Sequence, residues 1–407
     1  MTDSWKLSCL LIGLTAIVSP AARAQGPRVF REDANVLQAI RQRYASHDPQ
    51  VVKAVDALRK QSDKDMSGGP YAVTEKKHPA PGGDPHDYVS LAPYFWPNPI
   101  TPDHLPYVRH DGRRNPEIRE YDASRFGAMS GHARTLALAY YLTGREPYAD
   151  RAALLLRTWF INPATRMNPN LEHAQLVKGV DDGRGTGIIE SARLLDVVDA
   201  IGLLHGSKAW TSHDDRAMHD WFRKYVDWML HSKKGRKEQV ATNNHGTWYD
   251  VQLVTFCLFI ADDSTARRTL QEARRRRIAS QVEPDGSQPR ELTRTNAISY
   301  SVFNIEALTQ LADLGRLAGV DLWNYKTDDG RSIRAAINWI LPYATGHKPW
   351  KHQQISKFNE ASLFVPLRRA SAALGNAQYQ QVSVSILASD SSDKLNALLF
   401  PGSISPR

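Results

Sequence analysis

Residues 296–317 read NAISYSVFNIEALTQLADLGRL, and one set of side chains in this stretch recurs every three or four positions. That spacing places the set on one face of a helix. Its members are Ala297, Tyr300, Ser301, Asn304, Leu308, Leu311 and Leu314. A half-buried strand would alternate with a period of two, and the stretch shows no sustained alternation of that kind. Gly315 and Gly319 are candidate stop signals, so the stretch predicts one long amphipathic helix.

The same helical pattern recurs along the chain from about Asp33 onward. The other predicted helices cover residues 123–142, 151–160, 187–204, 214–230, 243–260 and 264–281. Loops rich in Pro, Gly and Asn separate them, and strand-like runs are few and short. Paired helices over most of the chain favour an all-α fold, an (α/α) toroid or incomplete barrel. An open helical repeat is the alternative, but the sequence shows no repeat of fixed period.

The N-terminal residues have the pattern of a secretory signal peptide. Lys6 precedes an apolar run from Leu7 to Val18, and Ala22-Arg23-Ala24 is a small-x-small cleavage pattern. The run is shorter than the roughly 20 apolar residues that a membrane-spanning helix needs. We therefore expect a signal peptide over residues 1–24, cleavage after Ala24, and a single domain over residues 25–407. The mature protein is expected to be secreted or periplasmic, without a membrane contact.

Cysteine usage indicates a fold held together by packing. Cys9 lies in the predicted signal peptide, which leaves Cys257 as the one cysteine of the mature chain. A lone cysteine cannot form an internal disulfide, and the sequence has no Cys/His spacing typical of structural zinc. Cys257 lies in an apolar run, so we expect it to fill space in the core.

The chain is basic, with a formal net charge of +9. A positively charged cleft raises the local concentration of an anionic ligand, so a polyanionic partner is favoured. Nucleic acid and lipid head groups stay open on charge alone. The tightest basic cluster, Arg274 to Arg277, is expected on a solvated helix face.

Three loops are both long and rich in reactive side chains: residues 79–116, 162–187 and 343–358. In a toroid the loops collect at the ends of the helix pairs, and functional residues are common on such loops. The candidate sites below therefore come from these loops and from the helix starts beside them.

The segment Asn243–Tyr249 opens a predicted helix. Asn is a favoured N-cap residue, so the segment can be read as a cap followed by core aromatics, Trp248 among them. Asn243, Asn244 and His245 also bring amide donors and an imidazole to the positive end of the helix dipole. That arrangement suits a bound carboxylate, and both interpretations stay open on composition alone.

Candidates for sugar binding lie in the first two long loops. Tyr94 and Trp96 belong to a Pro-bounded aromatic segment that either stacks on sugar rings or plugs the loop. In the second loop Gln175, Arg184 and Glu190 are candidate ligands, with Glu190 either orienting Arg184 or a hydroxyl, or acting as a helix-dipole partner. The run Gly183–Gly187 does not read as a phosphate loop, because it lacks the Lys-Ser/Thr ending and a preceding strand.

Arg294 and Tyr300 flank the start of the helix quoted first. An arginine offers a planar fork to a carboxylate, whereas a tyrosine, with an ordinary pKa of about 10, acts as a base only if cations stabilise its phenolate. In the third loop Lys348, Lys351 and His352 are candidates for holding flanking carboxylates. An ordinary basic surface loop is the equal alternative.

Taken in order, Tyr94–Pro99, Gly183–Glu190, Asn243–Asp250 and the Arg294…Tyr300 pair resemble the alginate-lyase superfamily. The likeness is greatest to polysaccharide lyase family 38 and more distant to family 5. It implies an (α/α) toroid, an anionic polysaccharide partner rather than nucleic acid, and eliminative cleavage without a cofactor. The catalytic group that it implies consists of Asn244, His245, Arg294 and Tyr300. Arg294 and Tyr300 stand six residues apart, one closer than the family 5 pattern.

The implied chemistry removes the proton at C5 of a uronate and expels the 4-O-glycosidic oxygen. Asn244, His245 and Arg294 would neutralise the neighbouring carboxylate. Tyr300 can serve as base and then as acid where H5 and O4 share a face, as in mannuronate and glucuronate. In guluronate they lie on opposite faces, and His245 would be the base with Tyr300 as acid. Mannuronate and glucuronate differ only at C2, so alginate is favoured and glucuronan stays open.

Two other functions fit the same fold. A glycoside hydrolase needs two carboxylic acids flanking the bond, and the candidates are Asp181, Asp182, Glu190, Glu283 and Asp285. A non-catalytic polyuronate-binding envelope protein would give affinity without cleavage. No His/Asp/Glu cluster has metal-ligand spacing, so no metal is expected. The oligomeric state and endo or exo action stay open.

Overall fold

The computed structural model describes residues 26–389 and 394–402. The predicted signal peptide and its cleavage after Ala24 therefore lie outside the described residues. Helices make up most of the described part. They are Ala34–Ala45 (α1), Pro49–Asp65 (α2), Asp122–Thr143 (α3), Glu146–Leu156 (α4), Leu194–Leu204 (α5), Ser212–His231 (α6), Lys233–Gln239 (α7), Asn244–Phe259 (α8), Asp263–Ala273 (α9), Pro289–Leu292 (α10), Ala297–Ala318 (α11), Ile333–Ala344 (α12), Phe364–Leu374 (α13), Ala377–Ser389 (α14) and Lys394–Leu399 (α15).

The long helices form two layers. In the inner layer α3 packs on α5, α5 on α8, α8 on α11 and α11 on α13. Outside them α4 packs on α3, α9 on α8, α12 on α11 and α14 on α13. Near the end of the described chain α15 contacts α1 and α2, which brings the two ends of the fold together. The predicted all-α toroid is confirmed.

One small strand pair joins the first two long loops, and a second lies within the first loop. Strands β1 (Val89–Leu91) and β4 (His173–Leu176) pair in parallel, with Val89 opposite His173. Strands β2 (Phe95–Trp96) and β3 (Val108–Arg109) form an antiparallel pair within the first loop. These short pairs hold two otherwise irregular segments at one end of the helical layers.

Helix α8 is buried on every side. Its interior residues, Val251 to Phe256, are at most 2% exposed, and Cys257 is fully buried as core filler, as expected. A helix that is apolar all round belongs in the centre of a protein. The first turn of α8 is therefore fixed by the whole core, which makes it a rigid platform for the residues it carries.

Helix α11 confirms the helix predicted for residues 296–317. It runs from Ala297 to Ala318, and Gly319 caps its end in the left-handed conformation, at φ 72°. Three other predicted helices are interrupted, among them 264–281, which changes to the π-helical segment Arg274–Ala279. The predicted helix 151–160 begins earlier, at Glu146, and its last turn widens into a π-helical segment, Arg157–Ile161. The predicted helix 187–204 starts as a 3₁₀ segment, Gly185–Arg193, before α5.

The expectation that the basic cluster Arg274 to Arg277 lies on a solvated face was wrong for Arg277. Its side chain is 1% exposed and forms a bidentate ion pair with Asp250 of α8, at 2.7 and 2.9 Å. It also donates to the carbonyl oxygens of Gln239 and Ala241. The reason is that a π-helical segment turns Arg277 inward, where carboxylate and carbonyl acceptors compensate its burial. Arg277 thus holds the chain that leads into α8.

Gly246 allows that chain to approach closely. A Cβ atom at Gly246 would lie 2.0 Å from the carbonyl oxygen of Ala241 and 2.6 Å from an Arg277 nitrogen. No side chain fits there, so the glycine after His245 is required by packing. Within the described residues no helix is long and apolar enough to cross a membrane.

Candidate active site

A cleft of about 610 Å³ opens where the first two long loops meet the starts of α8 and α11. Its lining residues come from several elements far apart in sequence. They are Leu91, Pro93, Tyr94, Phe95, Arg109, Arg114, Ile118, Ala123, Gln175, Arg184, Thr186, Ile189, Glu190, Ala192, Arg193, Glu238, Ala241, Asn243, Asn244, His245, Arg294, Tyr300 and Phe303. The fold thus gathers in one place most of the residues that the sequence singled out.

The cleft is basic. Five arginines line it, Arg109, Arg114, Arg184, Arg193 and Arg294, against two glutamates, Glu190 and Glu238. Both glutamates are engaged in hydrogen bonds with neighbouring side chains. An excess of positive charge inside a concave site attracts anions, so the cleft suits a polyanionic chain.

Tyr300 lies at the centre of a tight cluster at the start of α11. Its hydroxyl is 2.6 Å from the hydroxyl of Tyr94. The Arg294 guanidinium lies over its ring, with Cζ 3.6 Å from the ring centroid. Burial raises the pKa of Tyr300 and the hydroxyl of Tyr94 adds to this, while the Arg294 charge lowers it. Burial dominates, so Tyr300 is a phenol in the free protein.

Arg294 is held in place by Asp111 from the first long loop. The two side chains form a bidentate ion pair, with N···O distances of 3.1 and 2.8 Å. Burial alone would raise the pKa of Asp111, but hydrogen bonds from Arg294 and Arg109 outweigh it and hold the pKa well below its usual range. Asp111 also accepts the hydroxyl of Thr295 at 3.0 Å. Asp111 therefore fixes Arg294 above the Tyr300 ring.

His245 is oriented by Glu238 of α7. Its Nδ1 lies 2.6 Å from Glu238 Oε1, and the Glu238 side chain is 3% exposed. Because a carboxylate accepts, Nδ1 carries the proton in this pair and Nε2 is left for the cleft. A carboxylate behind a histidine fixes the tautomer and the ring orientation. His245 is thus set up to accept or donate a proton at Nε2.

Asn244 is fully buried beside the cleft. Its backbone N–H and its side-chain Nδ2 donate to the two oxygens of Glu291, each at 2.7 Å. Asn243, at the cap position of α8, makes no side-chain cap hydrogen bond and borders the cleft. The cap interaction expected from an asparagine is made instead by Glu291, from the segment that leads to Arg294.

Another part of the cleft wall is formed by Gln175, Arg184 and Glu190. Arg184 donates to the backbone and side-chain oxygens of Gln175, at 3.1 and 2.9 Å, and stacks on Phe95. Glu190 accepts from Tyr88 at 2.8 Å and Ser90 at 2.7 Å. Gln175 adopts φ 50°, a conformation that is costly outside glycine and concentrates at functional sites. These three predicted residues form one hydrogen-bonded wall.

Five predicted binding residues do not line the cleft. Trp96 donates to the Arg113 carbonyl oxygen, and Trp248 is buried behind Phe303. Lys348, Lys351 and His352 are exposed in the third long loop. That loop instead supports the segment between Arg294 and Tyr300, because Ala297 N–H donates to Gln353 O and Ile355 N–H to Thr295 O, both at 3.0 Å.

Sequence reasoning missed Asp111, Glu238 and Glu291. All three contact a predicted residue, and Asp111 and Glu238 lie in segments with no distinguishing pattern around them. Glu238 sits in a Lys/Arg-rich helix, and Asp111 in an irregular loop. Glu291 had one weak signal, since it ends the turn-rich lead-in to Arg294. Among the described residues no group of three or more His, Cys, Asp or Glu side chains is placed to hold a metal ion.

The alginate lyase family model matches residues 72–350. The chain belongs to the alginate lyase family. The match includes every residue that lines the cleft, so the site described above is part of this alginate lyase family region. No curated protein matches the chain.

Solved structures agree with the family. An alginate lyase from Bacteroides ovatus superposes with a TM-score of 0.88 at 36% identity, covering 92% of this chain and 99% of its own. Alginate lyase A1-III from Sphingomonas species A1 gives 0.51 at 16% identity, over 79% of this chain and 88% of its own. A variant of A1-III complexed with tetrasaccharide gives 0.54 at 17%, over 91% and 94%. The A1-III likenesses show the toroid fold alone.

Proposed function

We propose that this alginate lyase family member is a polysaccharide lyase that cleaves alginate by β-elimination. The observation that carries the proposal is the Tyr300 hydroxyl, held by Tyr94 with Arg294 on its ring, in the same basic cleft as the His245–Glu238 pair. Elimination needs a proton-transfer group and positive charge near the substrate carboxylate. The cleft supplies both from this chain's own residues.

The acidity of the C5 proton depends on neutralising the neighbouring carboxylate. His245, Asn243 and four arginines besides Arg294 border the cleft and can supply donors. Arg294 contributes less charge than a free arginine, because Asp111 already binds it on two nitrogens. Its main effect is on Tyr300, whose phenolate it stabilises from the ring face. Neutralisation of the uronate is therefore assigned chiefly to the start of α8.

The two proton-transfer groups fit the two stereochemical courses. On mannuronate, Tyr300 first loses its hydroxyl proton to solvent, and the phenolate then takes the C5 proton. The phenol so formed gives a proton to the leaving oxygen on the same face. Before the C5 proton is taken, the Tyr94 hydroxyl stabilises the Tyr300 phenolate by donating to it. On guluronate, His245 accepts the C5 proton at Nε2, and Tyr300, a phenol in the free protein, protonates the leaving oxygen from the other face.

The glycoside hydrolase alternative is less well supported. Of the candidate acids Asp181, Asp182, Glu190, Glu283 and Asp285, Glu190 lines the cleft. The other cleft carboxylate, Glu238, is bound to His245 at 2.6 Å. A hydrolase would need two carboxyl groups facing the bond from opposite sides, and one of this pair already serves the imidazole.

Glucuronan is the second candidate substrate. It shares with mannuronate the arrangement of H5 and O4, so Tyr300 can act on both.

Export is proposed on the pattern of residues 1–24 alone, with cleavage after Ala24 and a secreted or periplasmic mature protein. Sequencing the N-terminus of the protein recovered outside the cytoplasm tests that part.

Mass spectrometry of the products tests the proposed reaction. The purified protein is incubated with polymannuronate, polyguluronate and glucuronan, and the new chain ends are identified. Elimination gives ends that lack one water and carry a C4–C5 double bond, and hydrolysis gives saturated ends. Unsaturated ends from alginate support the proposal. Saturated ends would support the hydrolase, and binding without new ends would support a non-catalytic envelope protein.

A further inference from the structure

Glu291 is a buried carboxylate next to the cleft, and the proposed reaction gives it no role. It is 1% exposed, and Asn244 supplies both of its hydrogen-bond donors. Two basic side chains near Glu291 are engaged elsewhere: Arg294 binds Asp111, and His245 binds Glu238. A carboxylate in this position is poorly compensated, because a buried charge normally has a paired cation.

Burial raises the pKa of Glu291 in the free protein, against the lowering effect of the two Asn244 donors and of the charges of Arg294 and His245. The N-terminus of α8 adds a further favourable interaction for the anion, because Glu291 accepts the Asn244 backbone N–H. The balance makes Glu291 sensitive to any new charge at the start of α8.

The Asn244 amide shows the cost of an ionised Glu291. Nδ2 must face Glu291 to donate, and this leaves Oδ1 without a hydrogen-bond partner among the described residues, although Asn244 is fully buried. A buried acceptor without a donor is unfavourable. A protonated Glu291 removes the conflict, since its Oε2–H can donate to Oδ1 once the amide has turned by half a rotation.

We propose that Glu291 is a positioning residue that takes up one proton when a uronate binds, and that this turns the amide donors of Asn244 toward the substrate carboxylate. The proposal rests on the proposed function, because the uronate supplies the second negative charge. A like charge disfavours the ionised form of Glu291, and the incoming carboxylate competes for the positive charge of Arg294. The proton comes from solvent, and no covalent bond changes.

Glu291→Gln separates this role from a purely structural one. The Gln Oε1 accepts the Asn244 backbone N–H as the carboxylate does, and its amide N–H donates to Asn244 Oδ1. The variant thus holds Asn244 permanently in the turned arrangement. We expect E291Q to keep lyase turnover within about tenfold of the parent and to bind at least as tightly. E291A, which loses both acceptors, should be far less active.

Calorimetry measures the proton directly. A mannuronate tetrasaccharide is titrated into Y300F, which should bind without turnover, in buffers of different ionisation enthalpy at one pH. We expect proton uptake in Y300F, reduced by at least half in Y300F/E291Q. The matched control is Y300F/E283Q, because Glu283 lies in the same segment, pairs with Arg331 and does not line the cleft. Its proton uptake should equal that of Y300F.

Equal proton uptake in Y300F and Y300F/E291Q would overturn the proposal and assign the proton to another group, His245 first. An absence of uptake in Y300F would overturn it as well. Lyase activity of the unmodified protein is measured beside these titrations. If unsaturated products form, the proposed function stands whatever the proton count. If none form from any polyuronate, the proposed function fails and takes this inference with it.

Discussion

The Arg294 guanidinium lies 3.6 Å above the centre of the Tyr300 ring, and Asp111 binds the same guanidinium on two nitrogens. Asp111, Arg294 and Tyr300 thus contact one another in sequence, from the first long loop to the start of α11. The cation on the ring favours the phenolate, whereas burial favours the phenol. Tyr300 is thus protonated in the free protein, and the Arg294 charge lowers the free energy needed to form its phenolate.

Replacing Tyr300 by Phe should lower turnover on polymannuronate by roughly 10²- to 10⁴-fold, the usual contribution of a positioned acid or base. The ring stays in place under Arg294, so KM and Tm should change little. Initial rates and thermal unfolding check this. Tyr343→Phe is the matched control, because Tyr343 lies outside the cleft lining. Turnover within tenfold of the parent would remove Tyr300 from the reaction.

On polymannuronate, where Tyr300 acts as the base, Asp111→Asn should move the rising limb of the kcat/KM profile to lower pH. The Asp111 charge raises the pKa of Tyr300, so removing it favours the phenolate, which then forms at lower pH. The maximal rate should also fall, because Arg294 loses its bidentate partner. The pH profile on polymannuronate is the measurement. A shift of that limb to higher pH would contradict the link between Asp111 and Tyr300.

Glu238→Gln should affect guluronate cleavage more than mannuronate cleavage. His245 is the base only where H5 and O4 lie on opposite faces, and Glu238 orients it. We expect the ratio of guluronate to mannuronate rates to fall about tenfold or more. Asp215→Asn is the control, because Asp215 also holds a histidine, His205, away from the cleft. An unchanged ratio in E238Q would leave His245 without the proposed role.

Much of the fold was predictable because helical periodicity reports which face is buried. The stretch 296–317 fixed helix α11 to within one residue at each end, and the segment opening α8 was placed correctly. The π-helical turn at Arg274–Ala279 was not predictable. Its buried Arg277 pairs with Asp250, which lies 27 residues away in sequence and is brought there by tertiary packing.

The candidate site divides in the same way. Residues whose own side chains can transfer a proton, such as Tyr300 and His245, were predicted from their type and order along the chain, and both line the cleft. Residues that act by holding another side chain, such as Glu238 and Asp111, were not, since their value comes from a distance that only the fold sets. For the third long loop, the backbone contacts to Thr295 and Ala297 were not predictable for the same reason, and its exposed lysines lie outside the cleft lining.

Arg277→Leu should destabilise the protein by about 3–5 kcal/mol, because it leaves the buried Asp250 carboxylate uncompensated. Activity should fall too, since Arg277 holds the carbonyl oxygens of Gln239 and Ala241 just before α8. Urea unfolding gives the free energy. Arg275→Ala is the control from the same cluster, because Arg275 is exposed, and it should change stability by less than about 0.5 kcal/mol. Equal effects would contradict the buried role of Arg277.

Treatment with a chelator should leave turnover unchanged, because the basic side chains of the cleft supply the positive charge that elimination needs. The measurement compares rates on polymannuronate before and after dialysis against the chelator. Lost activity that Ca²⁺ restores would show that a cation, rather than a side chain, neutralises the uronate.

The central claim is that the cleft carries out elimination with Tyr300 as its proton-transfer group. The most direct test follows the ultraviolet absorbance of the conjugated C4–C5 double bond while the protein acts on polymannuronate, polyguluronate, mixed alginate and glucuronan, beside Y300F. We predict a rise with alginate polymers that Y300F abolishes. New reducing ends without any rise in absorbance would contradict elimination and redirect attention to the carboxylates Glu190 and Glu238.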